Sequence, residues 1–255
     1  MSQQAPTTSP WQDAGLKWQS GMKRMETRSE MDEIYLSDVV KVLEIQADTE
    51  LAAVQQLSLW LDRCPSPDDR WLLSRILMEE MRHAWQMCGL LEHIGQQQLV
   101  NKLLWMERGK HKLDAFNLEF ETFGDVAAFT FLIDRVGCYH LRDFQKSSFA
   151  PLARVTDMML EEEKLHLGFG TSRMGRLASD RKTKDEAQRG LMKFYPRALD
   201  MFGKAGISRN TRVLAQGIKL TENEELRLGY IDEVAEEVAK MGLDLPDEKW
   251  DRHIF

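Results

Sequence analysis

Two short stretches decide the fold: Glu79-Glu80-Met81-Arg82-His83 and Glu161-Glu162-Glu163-Lys164-Leu165-His166. In each stretch a glutamate is followed three residues later by a histidine. On an α-helix that spacing places both side chains on one face, about one turn apart. Both stretches lie in segments rich in Leu, Met, Ala, Glu, Lys and Arg, which favour helix. The sequence therefore predicts two helices that each present a Glu-His pair: Glu80 with His83, and Glu163 with His166.

A further carboxylate precedes each pair at a similar distance. Glu50 lies 30 residues before Glu80, and Asp134 lies 29 residues before Glu163. Each of these acids interrupts a stripe of apolar residues with helical spacing, which in a bundle faces the centre. Four converging carboxylates cannot all stay ionised in a core without compensation, and two divalent cations would supply it.

The combination defines a known type of ligand set. One carboxylate from each of two helices, with a Glu-x-x-His from each of two others, is the set found in ferritin-like dimetal carboxylate bundles. Mixed oxygen and imidazole ligands suit iron or manganese better than a closed structural zinc site. The competing interpretation, solvated or hydrogen-bonded polar groups, suits one isolated pair better than six residues on four stripes. The predicted metal ligands are Glu50, Glu80, His83, Asp134, Glu163 and His166.

Sparse Gly and Pro residues divide the chain into long helical segments. We predict an all-α, ferritin-like four-helix bundle with helices at about 31–62, 68–95, 124–146 and 150–178. An ordered connection spans about 97–122, and additional C-terminal helices lie near 183–204 and 209–241. Residues 1–30 are predicted to form a flexible N-terminal arm, and residues 31–255 one domain.

Acids beside the predicted ligands have a supporting role. A histidine that binds a metal usually donates its second N–H to a carboxylate or carbonyl, which fixes the ring. We predict that Glu79 and Glu162 do this, each for the histidine on the opposite helix, and that Arg82 bridges them as a fixed cation. The alternative places both glutamates on the outer, charged side of their helices.

Composition excludes several function classes. The 41 Asp and Glu residues outnumber the 34 Lys and Arg residues and give a net charge of −7, which argues against nucleic acid or an anionic membrane as partner. Three scattered cysteines and no long apolar segment predict a reduced, cytoplasmic setting. The chain has no G-x-G-x-x-G fingerprint and no iron–sulfur cysteine cluster, so electrons for a redox reaction would come from a separate reductase.

The motifs resemble those of a known group of enzymes. The stretch 79–83 resembles the acid-Glu-x-Arg-His signature of bacterial multicomponent diiron monooxygenases. A longer resemblance, over about residues 35–250, is to the catalytic subunits of phenylacetyl-CoA epoxidases and their benzoyl-CoA epoxidase relatives. Its other motifs are Asp48-Thr49-Glu50, Leu132-Ile133-Asp134, Phe194-Tyr195-Pro196 and Met241-Gly242-Leu243-Asp244-Leu245-Pro246-Asp247.

The resemblance implies a diiron centre held by the six predicted ligands, with Glu80 and Glu163 as bridges. It implies a monooxygenase that uses O₂ to epoxidise or hydroxylate a small aromatic substrate, either an aryl-CoA thioester or a related aromatic acid, in phenylacetate or other aromatic catabolism. A flavin and iron–sulfur reductase would deliver electrons, and the chain would form a homo-oligomer or pair with a structural subunit.

Met87 and Cys138 follow their ligands by one to two turns and are predicted to line the substrate pocket, with plain core packing as the alternative. Cys138 stands where the methane and toluene enzymes have a threonine, so that threonine's role does not transfer. Three other functions stay open from the residues: a ferritin-like ferroxidase or iron-handling protein, a diiron arylamine N-oxygenase, and a non-enzymatic partner subunit.

Overall fold

The computed structural model describes residues 23–254. Within this range the chain pairs as β-structure only at an isolated bridge between Met25 and Phe149. No described helix has the length and hydropathy needed to cross a membrane. The α-helices are α1 (Glu33–Leu57), α2 (Pro67–His93), α3 (Gln97–Leu104), α4 (Phe123–Phe144), α5 (Ala150–Ser179), α6 (Lys184–Met201), α7 (Ser208–Ala215) and α8 (Asn223–Met241).

Three of the bundle helices begin at residues that cap them. Asp32 caps α1 and Ser66 caps α2, and each accepts a backbone N–H three residues further on, at 2.8 Å and 3.1 Å. At α4, Thr122 and Asp125 form a reciprocal capping box. These contacts satisfy amide groups that have no partner within the helix, so the starting points are encoded locally.

Two apolar clusters fill the two halves of the bundle, and together they reveal its topology. Helix α1 passes from one cluster to the other between Leu51 and Ala52, and α5 runs in the same direction. Helices α2 and α4 run in the opposite direction. Since α2 and α4 are parallel, the chain must cross the length of the bundle between them. This single long crossover, which contains α3, is the connection of ferritin-like bundles.

Helix α4 lies at the centre of the molecule and is buried on nearly every face. Helix α5 approaches it most closely at Gly170, where a Cβ atom would overlap backbone atoms of Thr130 and Phe131. Helix α8 covers another side, where the Tyr230 hydroxyl donates to the Leu132 carbonyl at 3.1 Å. The C-terminal helices therefore complete the core of the bundle.

The predicted fold class, an all-α ferritin-like four-helix bundle with additional C-terminal helices, is confirmed. Some boundaries differ from those predicted. Helix α1 ends at Leu57 and the chain continues as a 3-10 helix over Ser58–Arg63. The connection at 97–122 contains α3 and a 3-10 turn at Asp114–Asn117.

The prediction of one helix at 209–241 is wrong, because the segment is broken into α7 and α8. Gly217 has a φ of +70°, a left-handed conformation that ends α7. The Asp143 carboxylate then accepts the Leu220 N–H at 3.1 Å, which holds the connecting segment against α4.

The predicted N-terminal arm falls mainly on residues 1–22, which lie outside the described residues. The remaining part contacts the bundle. The Met25 N–H donates to the Ser148 carbonyl at 2.8 Å, and Arg154 pairs with Glu26 at 2.8 Å.

Candidate metal centre

Six carboxylate and imidazole side chains meet midway along the bundle, between the two apolar clusters. They come from the middle of α1, α2, α4 and α5, the four helices that the apolar stripes assigned to the bundle. The exposed fraction is 0% for both histidines and at most 9% for the carboxylates. The structure thus brings together all six predicted ligands: Glu50, Glu80, His83, Asp134, Glu163 and His166.

These residues form two overlapping groups whose ligand atoms all lie within 4.8 Å of one another. Each group holds three carboxylates and one imidazole, and Glu80 and Glu163 belong to both. The first group adds Glu50 and His83, and the second adds Asp134 and His166. Two adjacent sites that share two glutamates are therefore present in the geometry.

Several donor atoms at this centre are buried without a hydrogen bond. They are Nδ1 of His83, Nδ1 of His166, one oxygen of Asp134 and one oxygen of Glu163. Buried polar atoms are nearly always satisfied in folded proteins, so four unsatisfied atoms at one place require an explanation. Metal cations would satisfy all four, and the mixture of oxygen and nitrogen donors fits iron or manganese.

The far nitrogen of each histidine contacts a carboxylate from the opposite helix. His83 Nε2 lies 2.8 Å from Glu162 Oε2, and His166 Nε2 lies 3.0 Å from Glu79 Oε2. An imidazole that donates from Nε2 turns its Nδ1 lone pair toward the centre of the bundle, where a metal could accept it.

Two arginines pair with these supporting glutamates. Arg82 donates to Glu162, while Arg75 Nε donates to Glu79 Oε1 at 2.9 Å. The predicted bridge from Arg82 to both glutamates is therefore corrected: Glu79 takes its arginine from one turn earlier on its own helix. Arg75 was not among the predicted site residues, although its position four residues before Glu79 is the spacing of a helical ion pair.

Burial and crowding shift the carboxyl groups in opposite directions. Burial raises the pKa of Glu50 to about 8, although His83 opposes the shift. Burial and the neighbouring carboxylates Glu163 and Glu80 raise the pKa of Asp134 well above its ordinary value. Burial also disfavours the charged form of Glu163, but His166 and His83 outweigh it and lower its pKa to about 2.

The two histidines hold protons strongly when no metal is bound. Burial opposes protonation of His83, but Glu163 and Glu50 raise its pKa to about 10. The pKa of His166 is raised well above its ordinary value by Glu163 and Glu80, again against burial. Protons on the imidazoles thus balance part of the carboxylate charge that metal cations would otherwise neutralise.

A small cavity of about 60 Å³ lies against the carboxylates. A second pocket of about 260 Å³ adjoins it and is lined in part by the half-exposed Arg209. Because the two share five lining residues, they form a path toward the centre. The shared residues are Ile45, Gln46, Leu113, His140 and Met201.

Met87 and Cys138 are placed differently from the prediction. Neither lines the inner cavity, and both belong to the apolar cluster that contains the first half of α1. On α4 the cavity instead meets Gly137 and His140. The rotation of α4 turns Cys138 away from the cavity, which the spacing from Asp134 alone does not reveal.

The fold and this centre define a class of protein: a ferritin-like helical bundle whose interior presents a carboxylate and histidine cluster that could hold metal ions. A family model described as phenylacetic acid catabolic protein matches residues 21–253, and the chain belongs to that family. The family resemblance predicted from the motifs is thereby confirmed.

Two curated relatives are similar to the chain. Benzoyl-CoA oxygenase component B of Aromatoleum evansii is 34% identical over 150 residues, which cover 56% of this chain and 32% of the relative. A subunit of the 1,2-phenylacetyl-CoA epoxidase from Escherichia coli K12 is 23% identical over 229 residues, covering 88% of this chain and 73% of the relative. The match therefore spans about a third of the first relative's length and most of the second's.

Proposed function

We propose that the chain is the oxygenase subunit of a diiron monooxygenase that acts on an aryl-CoA thioester or a related aromatic acid. One observation carries the proposal: six buried ligand side chains converge as two groups that share Glu80 and Glu163. Family membership and the names of the two relatives support the same reaction class. Two irons, when bound, would supply the reductive activation of O₂.

The residues of the centre have distinct roles in this proposal. Glu50 and His83 complete one iron site, Asp134 and His166 complete the other, and Glu80 and Glu163 serve both. Glu79 and Glu162 hold the histidines by their Nε2 atoms, so that Nδ1 points at the metal.

The inner cavity fits an aromatic ring in chemistry, since Ala53, Phe116 and Ile133 form part of its wall beside the carboxylates. These apolar side chains keep bulk water away from the reacting atoms. The outer pocket is lined by three cationic side chains, those of Lys41, Arg209 and Lys219. Such a pocket suits the acidic portion of a CoA thioester.

An assembly of several polypeptides is part of the proposal. The relatives are named as a component of an oxygenase and as one subunit of an epoxidase, which identifies those proteins as parts of larger enzymes. The present sequence has no nucleotide fingerprint or iron–sulfur cysteine cluster, so the electrons require a reductase of the flavin and iron–sulfur type.

The experiment begins with the purified chain, loaded with Fe²⁺ without oxygen and analysed for iron. We expect two irons per chain. Oxygen consumption with a surrogate reductase is then compared between benzoyl-CoA or phenylacetyl-CoA and the corresponding free acids, with product mass as the second readout. A product heavier by one oxygen atom supports the proposal, and faster turnover of the thioesters assigns CoA as part of the substrate.

Two results would overturn the proposal. One is the absence of iron after reconstitution, as expected of a non-enzymatic partner subunit. The other is rapid Fe²⁺ oxidation that builds a mineral core within a large homo-oligomer and leaves every aromatic compound unchanged, as expected of a ferroxidase. An oxygenated arylamine with no change in the acids or thioesters would move the assignment to N-oxygenation.

A further inference from the structure

The two Glu-x-x-His motifs differ at the residue before the histidine. In 79–83 that residue is Arg82, whereas in 162–166 it is Leu165. The acids and histidines are otherwise matched, since both motifs read Glu-Glu-x-x-His. The two halves of the centre therefore carry different cations beside their supporting carboxylates.

In the first half, the motif provides its own cation. The His83 imidazole contacts Glu162 across the helix interface, and Arg82, the neighbour of His83 in sequence, donates to the same Glu162. The side chain of Glu162 is only 14% exposed, so the arginine neutralises a largely buried carboxylate.

The same arrangement in the second half would place the side chain of residue 165 on Glu79, which contacts His166. Leu165 cannot donate a hydrogen bond, and it packs against an apolar cluster instead. The Glu79 side chain is 4% exposed, and it would be left with the imidazole as its only charged partner if no other cation reached it.

Arg75 fills this role from a different position. It lies one turn before Glu79 on α2, and its Nε donates to Glu79 Oε1 at 2.9 Å. The other carboxylate oxygen, Oε2, stays directed at His166 Nε2. Arg75 thus occupies one oxygen of Glu79 and leaves the second for the histidine.

We propose that Arg75 is a positioning residue that replaces the cation missing at Leu165 and, through Glu79, fixes the orientation of His166. The inference rests on the metal centre of the proposed function. It assigns the two arginines to different halves: Arg82 supports the site of Glu50 and His83, and Arg75 supports the site of Asp134 and His166.

The test uses the full chain, with Co²⁺ alone as the spectroscopic probe. We expect the wild type to bind two equivalents. Removing a hydrogen-bond partner one step behind a ligand weakens metal binding by about 10- to 100-fold, so Arg75→Leu should weaken one equivalent by about tenfold and spare the other. Arg75→Lys retains the charge and should retain most of the affinity.

The decisive variant moves the cation to the other helix. Arg75→Leu combined with Leu165→Arg recreates the pattern of the first motif and should restore the second equivalent. Arg70→Leu is the matched control, because Arg70 lies on the same helix and contacts Asp62, remote from the centre. Circular dichroism and thermal unfolding of each variant establish that it is folded.

A further readout separates positioning from general stability. The Nε2–H protons of metal-bound histidines give shifted NMR signals in a Co²⁺ protein. Arg75→Leu should move one of the two signals and Arg82→Leu the other.

An Arg75→Leu variant that binds both equivalents with wild-type affinity would overturn the proposal, and so would movement of both signals by either variant. A wild type that takes up no Co²⁺ overturns the metal centre together with this inference. Two bound Co²⁺ ions in a protein that fails to oxygenate aromatic compounds overturn only the proposed function.

Discussion

Among single residues, Glu80 and Glu163 are expected to affect metal binding most, because each belongs to both ligand groups. Glu80→Ala removes a donor from both sites at once and should abolish binding of both irons. Asp134→Ala removes a donor from one group only and should reduce the content toward one iron per chain. Metal analysis of desalted protein measures the difference.

Glu161→Ala is the matched control for these variants. Glu161 belongs to the same acidic run as Glu163, but its side chain is 69% exposed and pairs with Lys164 on the surface. We expect unchanged iron content. Loss of iron in this control, or retention of both irons in Glu80→Ala, would contradict the assignment of the ligands.

The pKa shifts at the centre predict that metal binding depends on pH. With the pKa of Glu50 at about 8 and that of His83 at about 10, both groups hold protons at pH 7 in the metal-free protein. Both pKa values are raised, so metal must displace these protons, and its apparent affinity should rise as the pH increases from 6 to 8. Calorimetry in buffers of different ionisation enthalpy should detect release of about two to four protons. Affinity that is flat or falls with pH would contradict the predicted protonation.

At the level of helices, the contact between α4 and α5 is the one most sensitive to substitution. A Cβ at Gly170 would overlap the backbone of α4, which cannot move aside as a flexible side chain could. Gly170→Ala should therefore destabilise the protein by about 1–3 kcal/mol in urea unfolding.

Gly168→Ala on the same helix provides the comparison. Nothing lies within 4 Å of a Cβ at Gly168, so the substitution is expected to be neutral or to stabilise α5 by up to about 1 kcal/mol. Equal effects of the two substitutions would show that helix propensity, and not the close packing, determines the result.

The sequence predicted the bundle helices because their signals are local. Apolar stripes mark the buried faces, and Ser66 and Thr122 mark the starts of α2 and α4. The break between α7 and α8 was missed because a single glycine, Gly217, does not reliably end a helical pattern. The contact that holds the break is tertiary, from Asp143 on α4 to the Leu220 amide.

The candidate centre shows the same division between local and tertiary information. Glu80 and His83, or Glu163 and His166, are related by one helical turn, which sequence spacing reveals. The side of α4 that faces the cavity depends on the rotation of the whole helix within the bundle. Spacing alone therefore favoured Cys138, whereas the structure places its neighbour Gly137 at the cavity.

For the molecule as a whole, the position of the polar cluster connects stability to function. It separates two apolar clusters, each of which forms half of the bundle core. The apolar halves hold the helices in register, so the ligands can be held in place without being the main source of stability. Buried charges at the junction are unfavourable without cations, which is the expected cost of a preorganised metal site.

The path through the molecule leads to a prediction that separates substrate access from metal binding. A Cβ at Gly137 would have nothing within 4 Å, and the residue lines the inner cavity of about 60 Å³. In Gly137→Leu the new side chain should extend into that space and exclude an aromatic ring. We expect iron content to stay at two per chain while oxygenation of aryl-CoA thioesters falls by at least about tenfold, since loss of productive positioning has effects of that size or larger. Gly168→Leu, an equally large change at an open position on α5, should leave both properties unchanged. If Gly137→Leu turns over substrate at the wild-type rate, the cavity is not the route to the metal centre, and if it loses iron, the leucine has displaced Asp134 one turn away.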